Sequence, residues 1–296
     1  MKTYTEMIFE ELVQNDNSTE AKLRRYLERR RREHAEREER KMNMLHPKSK
    51  NELQDMIIEE IKKNGSDVSL NHIDTSEIED MSYLFRSYKG NSYSNSSNIL
   101  MSFSGDISEW DTSSVTNMSY MFNCVLNFNS NISDWDVSNV TNMDSMFYNA
   151  RKFNQPIGCW DVRKVTNMRY MFAATEFNQP LDEWSEKLSQ VEQMSFMFAW
   201  SYSFNQDINN WKLKDIKELC YMFNYSVFNK PLDKWASWIN DNSIDSSLNF
   251  NGMFKGSKFN QNISNWQLRK YMFDEEMFEG CQISEDFKPR RVEGEN

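Results

Sequence analysis

One spacing, Phe-x3-[Ile/Leu]-x2-Trp, recurs seven times along this 296-residue chain and leaves few folds open to it. The tryptophans stand at Trp110, Trp135, Trp160, Trp184, Trp211, Trp235 and Trp266. Seven residues before each is a phenylalanine, from Phe103 to Phe259, and three before each is Ile or Leu, from Ile107 to Ile263. A second block, Met-x-x-Met-Phe, follows as Met118–Phe122, Met143–Phe147, Met168–Phe172 and Met194–Phe198, with looser copies from Met81, Leu219, Phe250 and Met277. Successive tryptophans lie 24 to 27 residues apart, except where residues 236–248 stretch one unit to 31. A unit this short cannot bury its own large apolar residues, whereas stacked neighbours can share one core. The expected architecture is an α/β repeat solenoid of seven or eight coils.

Within a coil, Phe, +4, +7 would suit a helix face. Pro156, Pro180 and Pro231 fall where they would break one, so Phe-Asn-x-x-Ile-x-x-Trp reads as an extended or turning edge. Trp-x-Val-x-x-Val, as in Trp135, Val137 and Val140, predicts a short strand stacked in parallel on its neighbours. Met-x-x-Met-Phe predicts one helical or 3₁₀ turn.

Apolar residues make up 39% of the chain and mean hydropathy is −0.80, so a polar chain must use a few apolar columns many times. The formal net charge of −10 is uneven, because residues 20–41 carry ten Lys/Arg against six Glu. An acidic body disfavours direct contact with nucleic-acid phosphates and favours a basic partner. Four domains are expected. Residues 1–46 form a charged helical arm, with Arg29, Arg30, Arg31 and Arg32 placed to meet an acidic surface or a phosphate backbone. Residues 47–73 form a capping segment, opened by the Ser49–Glu52 capping box and striped by Leu53, Met56, Ile57 and Ile61. Residues 74–278 form the solenoid, and residues 279–296 a frayed tail.

The copies WDVSNVTNMDSMFYNARKFNQPIGCWDV and WDTSSVTNMSYMF, with the lead-in HPKSKNELQDMIIEEIKKNGSDVSLNHIDTSEIEDMSYLF, resemble the BspA-type leucine-rich-repeat family in its mycoplasma-type DUF285 branch, over about residues 46–278. The resemblance implies leucine-rich-repeat-like coils of about 25 residues. It also implies one of two settings: adhesion at a bacterial or protist surface, or a phage or mobile-element protein without an assigned role. It brings no catalytic residues. No signal peptide or transmembrane run is read, which points to the cytoplasm rather than to a surface adhesin.

Catalytic signatures are missing from the sequence. His34, His46 and His72 precede the repeats, the four cysteines have no zinc spacing, and no Walker, GxGxxG or HExxH motif occurs. The expectation is no enzyme, no metal and no cofactor. The column Asp74, Asp111, Asp136 and Asp161, with Asn117, Asn142 and Asn167, is expected to bond backbone groups at turns. The third residue of the Met-Phe turn, Tyr83, Tyr120, Tyr170, Phe196 or Tyr221, should face away from the core. These rings either cover the seam between coils or form an exposed ladder for a partner. On the second reading the anchors are Tyr120, Tyr170 and Tyr221, joined by the off-repeat Trp200 and Trp238. The expected function is binding of a protein partner, in the sharper form inhibition of a basic nucleic-acid-handling enzyme.

Overall fold

The computed structural model describes residues 24, 26–29, 31, 32, 44–86, 99–241, 248–269, 272 and 274–292. The chain divides into two units, residues 1–45 and 46–296. In the first, the described residues between 24 and 32 are helical and exposed, and the Arg29 guanidinium lies 5.9 Å from the centre of the Tyr26 ring.

The second unit opens on α1, Lys50–Asn64. The Ser49 side chain caps it by accepting the Glu52 N–H, while the Glu52 carboxylate accepts the Lys48 N–H. Leu53, Ile57 and Ile61 are its buried face. From the same helix the Gln54 amide donates to the Tyr83 and Leu84 carbonyls, covering backbone acceptors at the open edge of the first coil.

After α1 the backbone advances in coils joined by one bridge each, through Asp80, Asn117, Asn142, Asn167, Gln193, Glu218 and Asn249, all parallel. The parallel contact therefore falls two residues after the last Val of Trp-x-Val-x-x-Val. No strand forms over the predicted stretch, because the Asp column closes turns there: Asp111, Asp136 and Asp161 accept the N–H groups of Ser113, Ser138 and Arg163.

Met-x-x-Met-Phe is not helical. It opens a run of three overlapping β-turns, closed by Met121 N–H to Met118 O, Asn123 N–H to Tyr120 O and Val125 N–H to Phe122 O at 3.2, 3.2 and 3.0 Å. The alternate N–H groups leave the coil: those of Met118, Tyr120, Phe122 and Cys124 donate to the carbonyls of Asn142, Asp144, Met146 and Tyr148. A helix would have consumed all of these groups within the coil and left none to bind its neighbour. The third residue of the first and of the last turn takes positive φ, as a type II turn requires. These residues form two columns: Tyr83, Tyr120, Ser145, Tyr170, Phe196, Tyr221, Gly252 and Glu276, then Cys124, Asn149, Ala174, Trp200, Tyr225, Gly256 and Gly280.

The core is a set of ring columns. Phe122, Phe147, Phe172, Phe198, Phe223 and Phe254 stack from coil to coil with centroids 5.6 to 5.9 Å apart. Phe128, Phe153, Phe177, Phe204, Phe228 and Phe259 form a second column beside the first. Each repeat tryptophan is buried, and most donate the indole N–H to the Ile/Leu carbonyl of the coil before. Trp135 reaches Ile107, Trp160 reaches Ile132, Trp211 reaches Leu181 and Trp266 reaches Leu232. Trp184 is the exception, buried with no acceptor for its N–H among the described residues.

The residue after the second-column Phe makes a polar ladder that runs with the core. Asn129 Oδ1 accepts the Asn154 N–H, and the relation repeats through Asn178, Asn205, Asn229 and Asn260 to the N–H of Ser284. This last step overturns the frayed tail. Residues 281–292 add a partial coil in which Ile283 N–H-to-Arg290 spacing matches that of Phe259 to Trp266. The Phe287 carbonyl accepts the Ile263 N–H, and β1 (Gln267–Arg269) pairs in parallel with β2 (Arg290–Val292). The tail escapes the sequence pattern because Ile, Phe and Arg replace Phe, Ile and Trp at its key positions.

Candidate functional site

The left-handed turn columns carry side chains on the outer side of the turns. An L-residue there costs about 1 kcal/mol, and glycine is the usual choice. Here aromatic residues occupy it, and stacking between coils offsets the cost at about 0.5–1.5 kcal/mol per pair. Tyr83 stacks on Tyr120 at 4.6 Å, and Tyr170, Phe196 and Tyr221 stack in series at 4.5 and 4.8 Å. The column is interrupted at Ser145, which is buried and donates to Asp144. Where the rings of Tyr221 and Tyr225 lie across the next coil, glycine stands beneath them. A Cβ on Gly252 or Gly256, both at positive φ, would collide with those rings.

Tyr120, Tyr170 and Tyr221 are thus half-buried, both covering the seam and showing one edge to solvent. Trp200 is not off-repeat. It occupies the second left-handed column, half-buried, with its ring 6.1 Å from Phe196. Trp238 is not a surface anchor. It lies in α2, Ala236–Ile239, 7% exposed and packed at 5.3 Å on Trp235. The start of the 236–248 insertion therefore has a packing reason, since α2 turns an otherwise surplus Trp into the core. Arg29, Arg31 and Arg32 are exposed and helical, and Arg30 lies outside the described residues.

Sequence reasoning missed Tyr202 and Tyr225, which are 71% and 49% exposed and extend the aromatic surface around Trp200. The signal was available. Aligning coils on the turn block puts Tyr225 in the Trp200 column and Tyr202 in the column of Leu126, Arg151 and Glu176.

That second column meets a change in coil length. Three residues separate Asn149 from Phe153 and Trp200 from Phe204, but only two separate Ala174 from Phe177. The coil of Ala174 is therefore cut back between longer neighbours, and a cleft of about 510 Å³ opens over it. Ala174, Thr175 and Glu176 come from the short coil, Asn149 and Arg151 from one side, and Trp200, Tyr202 and Ser203 from the other. The Arg151 guanidinium is held by the Asn149 side-chain oxygen at 3.2 Å, and Lys152 pairs with Glu176 at 3.6 Å.

Elsewhere the reactive groups are engaged structurally. Burial pushes the Cys220 thiol up, away from the thiolate, and it sits 3.0 Å from Ser195 Oγ. His46 and Asp74, which flank the capping segment, meet at 2.9 Å. Among the described residues no group of three His, Cys, Asp or Glu is placed to hold a metal ion, and no helix is long and apolar enough to cross a membrane.

A family model described as "Mycoplasma protein of unknown function, DUF285" matches residues 91–188, 174–247 and 236–288. No curated protein and no solved structure matches the chain.

Proposed function

We propose, from the premise that this chain belongs to the DUF285 family, that it is a non-enzymatic, leucine-rich-repeat-like solenoid whose turn face binds a partner protein. The observation that carries the reading is the aromatic strip across three successive coils: Tyr170, Phe196, Trp200, Tyr202, Tyr221 and Tyr225. Tyr and Trp, rigid and amphipathic, are the residues most enriched at interface hot spots. Repetition of the turn places them on one continuous surface, so a partner would touch several coils rather than one pocket. The net charge of −10 supports a basic surface on that partner, and the inhibition of a basic nucleic-acid-handling enzyme rests on that charge. The arginines of the arm are a separate electrostatic contact whose contribution fades with salt.

The test uses the full chain as bait beside two variants, Tyr170→Ala and the double variant Tyr221→Ala, Tyr225→Ala, each checked for folding by circular dichroism. A protein retained by the parent and bound at least tenfold more weakly by a folded variant supports the reading. Equal retention by all three baits, or no specific retention by the parent, overturns it.

A further inference from the structure

The cleft over the short coil of Ala174 has a chemistry unlike the rest of the turn face. One side presents the rings of Trp200 and Tyr202, the latter 71% exposed despite its apolar ring. The other presents Asn149 and Arg151, with Glu176 and Ser203 completing the rim. Its volume of about 510 Å³ falls within the range of small-ligand sites, about 300–1,000 Å³.

The polar groups discriminate between ligands. Arg151 can only donate and the Glu176 carboxylate can only accept, while Asn149, Ser203 and Tyr202 do both. A simple cation in the cleft meets Arg151, and a simple anion meets Glu176. A purely apolar side chain would strip water from both charges and give nothing back. A pyranose satisfies all of them. Its hydroxyls give and take hydrogen bonds around the rim, and its positively polarised C–H face suits the negative face of an aromatic ring. We propose that this cleft is a saccharide-binding site, with Trp200 and Tyr202 as stacking platforms and Arg151, Asn149 and Glu176 as hydroxyl readers. Ala174 keeps it open: the same column holds Asn149 in the coil before and Trp200 in the coil after. The cleft shares Trp200 and Tyr202 with the aromatic strip, whereas Tyr221 and Tyr225 lie outside its lining, so a change at Tyr225 separates glycan binding from protein binding by the strip.

The full chain is applied to an array of soluble oligosaccharides, neutral hexose and N-acetylhexosamine chains in one arm and sialic- or uronic-acid chains in the other. Each glycan that binds is titrated by tryptophan fluorescence and by saturation-transfer NMR. Tyr202→Ala and Glu176→Gln should each weaken binding at least tenfold with an unchanged melting temperature, Trp200→Ala should weaken it at least tenfold with a lowered one, and Tyr225→Ala should leave binding within twofold. Tyr202, being largely exposed, keeps the test open should Trp200→Ala misfold. The arms separate a neutral from an acidic sugar. The proposal is overturned if neither arm binds up to the solubility limit, or if folded Tyr202→Ala and Glu176→Gln bind as the parent does. Loss of a partner protein with Tyr225→Ala, without any glycan binding, would overturn this site alone and leave the strip standing.

Discussion

Trp160→Phe and Trp184→Phe are chemically identical changes at two fully packed positions, 2% and 0% exposed. Each deletes the same part of the indole, so packing loss is common to both and cancels in the comparison. What differs is the N–H. At Trp160 it donates to the Ile132 carbonyl at 3.1 Å. That carbonyl also accepts the Trp135 backbone N–H, so it keeps one partner after the substitution. Losing the indole bond should cost about 1 kcal/mol net. At Trp184 the N–H is buried and unpaired among the described residues, a burden of about 1–3 kcal/mol that phenylalanine removes. Trp160→Phe should therefore be the more destabilising by about 2–4 kcal/mol. Urea unfolding followed by far-UV circular dichroism measures this as the shift in midpoint multiplied by a shared slope, and equal slopes check that the same transition is compared. Equal losses, or a larger loss at Trp184, would refute the view that the indole ladder contributes through its hydrogen bonds as well as its bulk.

The asparagine ladder is tested at Asn178, whose Oδ1 accepts from the Asn205 N–H and the Gln206 amide, both at 3.0 Å. Asn178→Ala should cost about 1–3 kcal/mol by orphaning that N–H, whereas Asn178→Asp keeps the acceptor and should cost under about 1; thermal melts in which Asp is as harmful as Ala would count against the ladder. The turn carboxylates predict a pH dependence. Hydrogen bonds from Ser138 hold Asp136 below the ordinary carboxylate range, and at Asp74 and Asp106 burial pushes the pKa up but the turn hydrogen bonds prevail and lower it. A folded pKa below the unfolded one gives stability that is present above the unfolded pKa and lost as pH falls through the folded one. The urea midpoint should therefore be flat near neutrality and fall below about pH 4, less steeply in Asp136→Asn; a midpoint unchanged between pH 7 and pH 3 would remove these carboxylates from the account.

The Trp, Phe and Ile/Leu columns were legible because their spacing never varies and each position faces the same neighbour in every coil. The backbone was less so. Met-x-x-Met-Phe has the spacing of a helical turn, but the competing demand of inter-coil hydrogen bonds falls on the same N–H groups, and sequence spacing does not reveal which demand wins. Positive φ was hidden for a related reason, since tyrosine is not a residue that announces it; glycines mark the two columns only late in the array, at Gly252, Gly256 and Gly280. Trp238 misled because distance from the repeat was taken as distance from the core, whereas α2 folds it back onto Trp235. Arg30 falls outside the described residues, and the arm stands on its charge pattern.

The shortening of the coil at Ala174 has a counterpart inside the molecule. Where five residues separate the two core phenylalanines of a coil, as in Phe147–Phe153 and Phe198–Phe204, their centroids are 3.8 Å apart. Where four separate them, as in Phe172–Phe177 and Phe223–Phe228, the distance is 4.2 Å. A whole residue is thus absorbed by a few tenths of an ångström in the ring stack, while outside it the same residue decides between ridge and hollow. In such a lineage a single codon gained or lost between those phenylalanines resculpts the relief that a ligand meets and leaves the interior nearly untouched. Selection can then vary recognition by counting residues as well as by exchanging them.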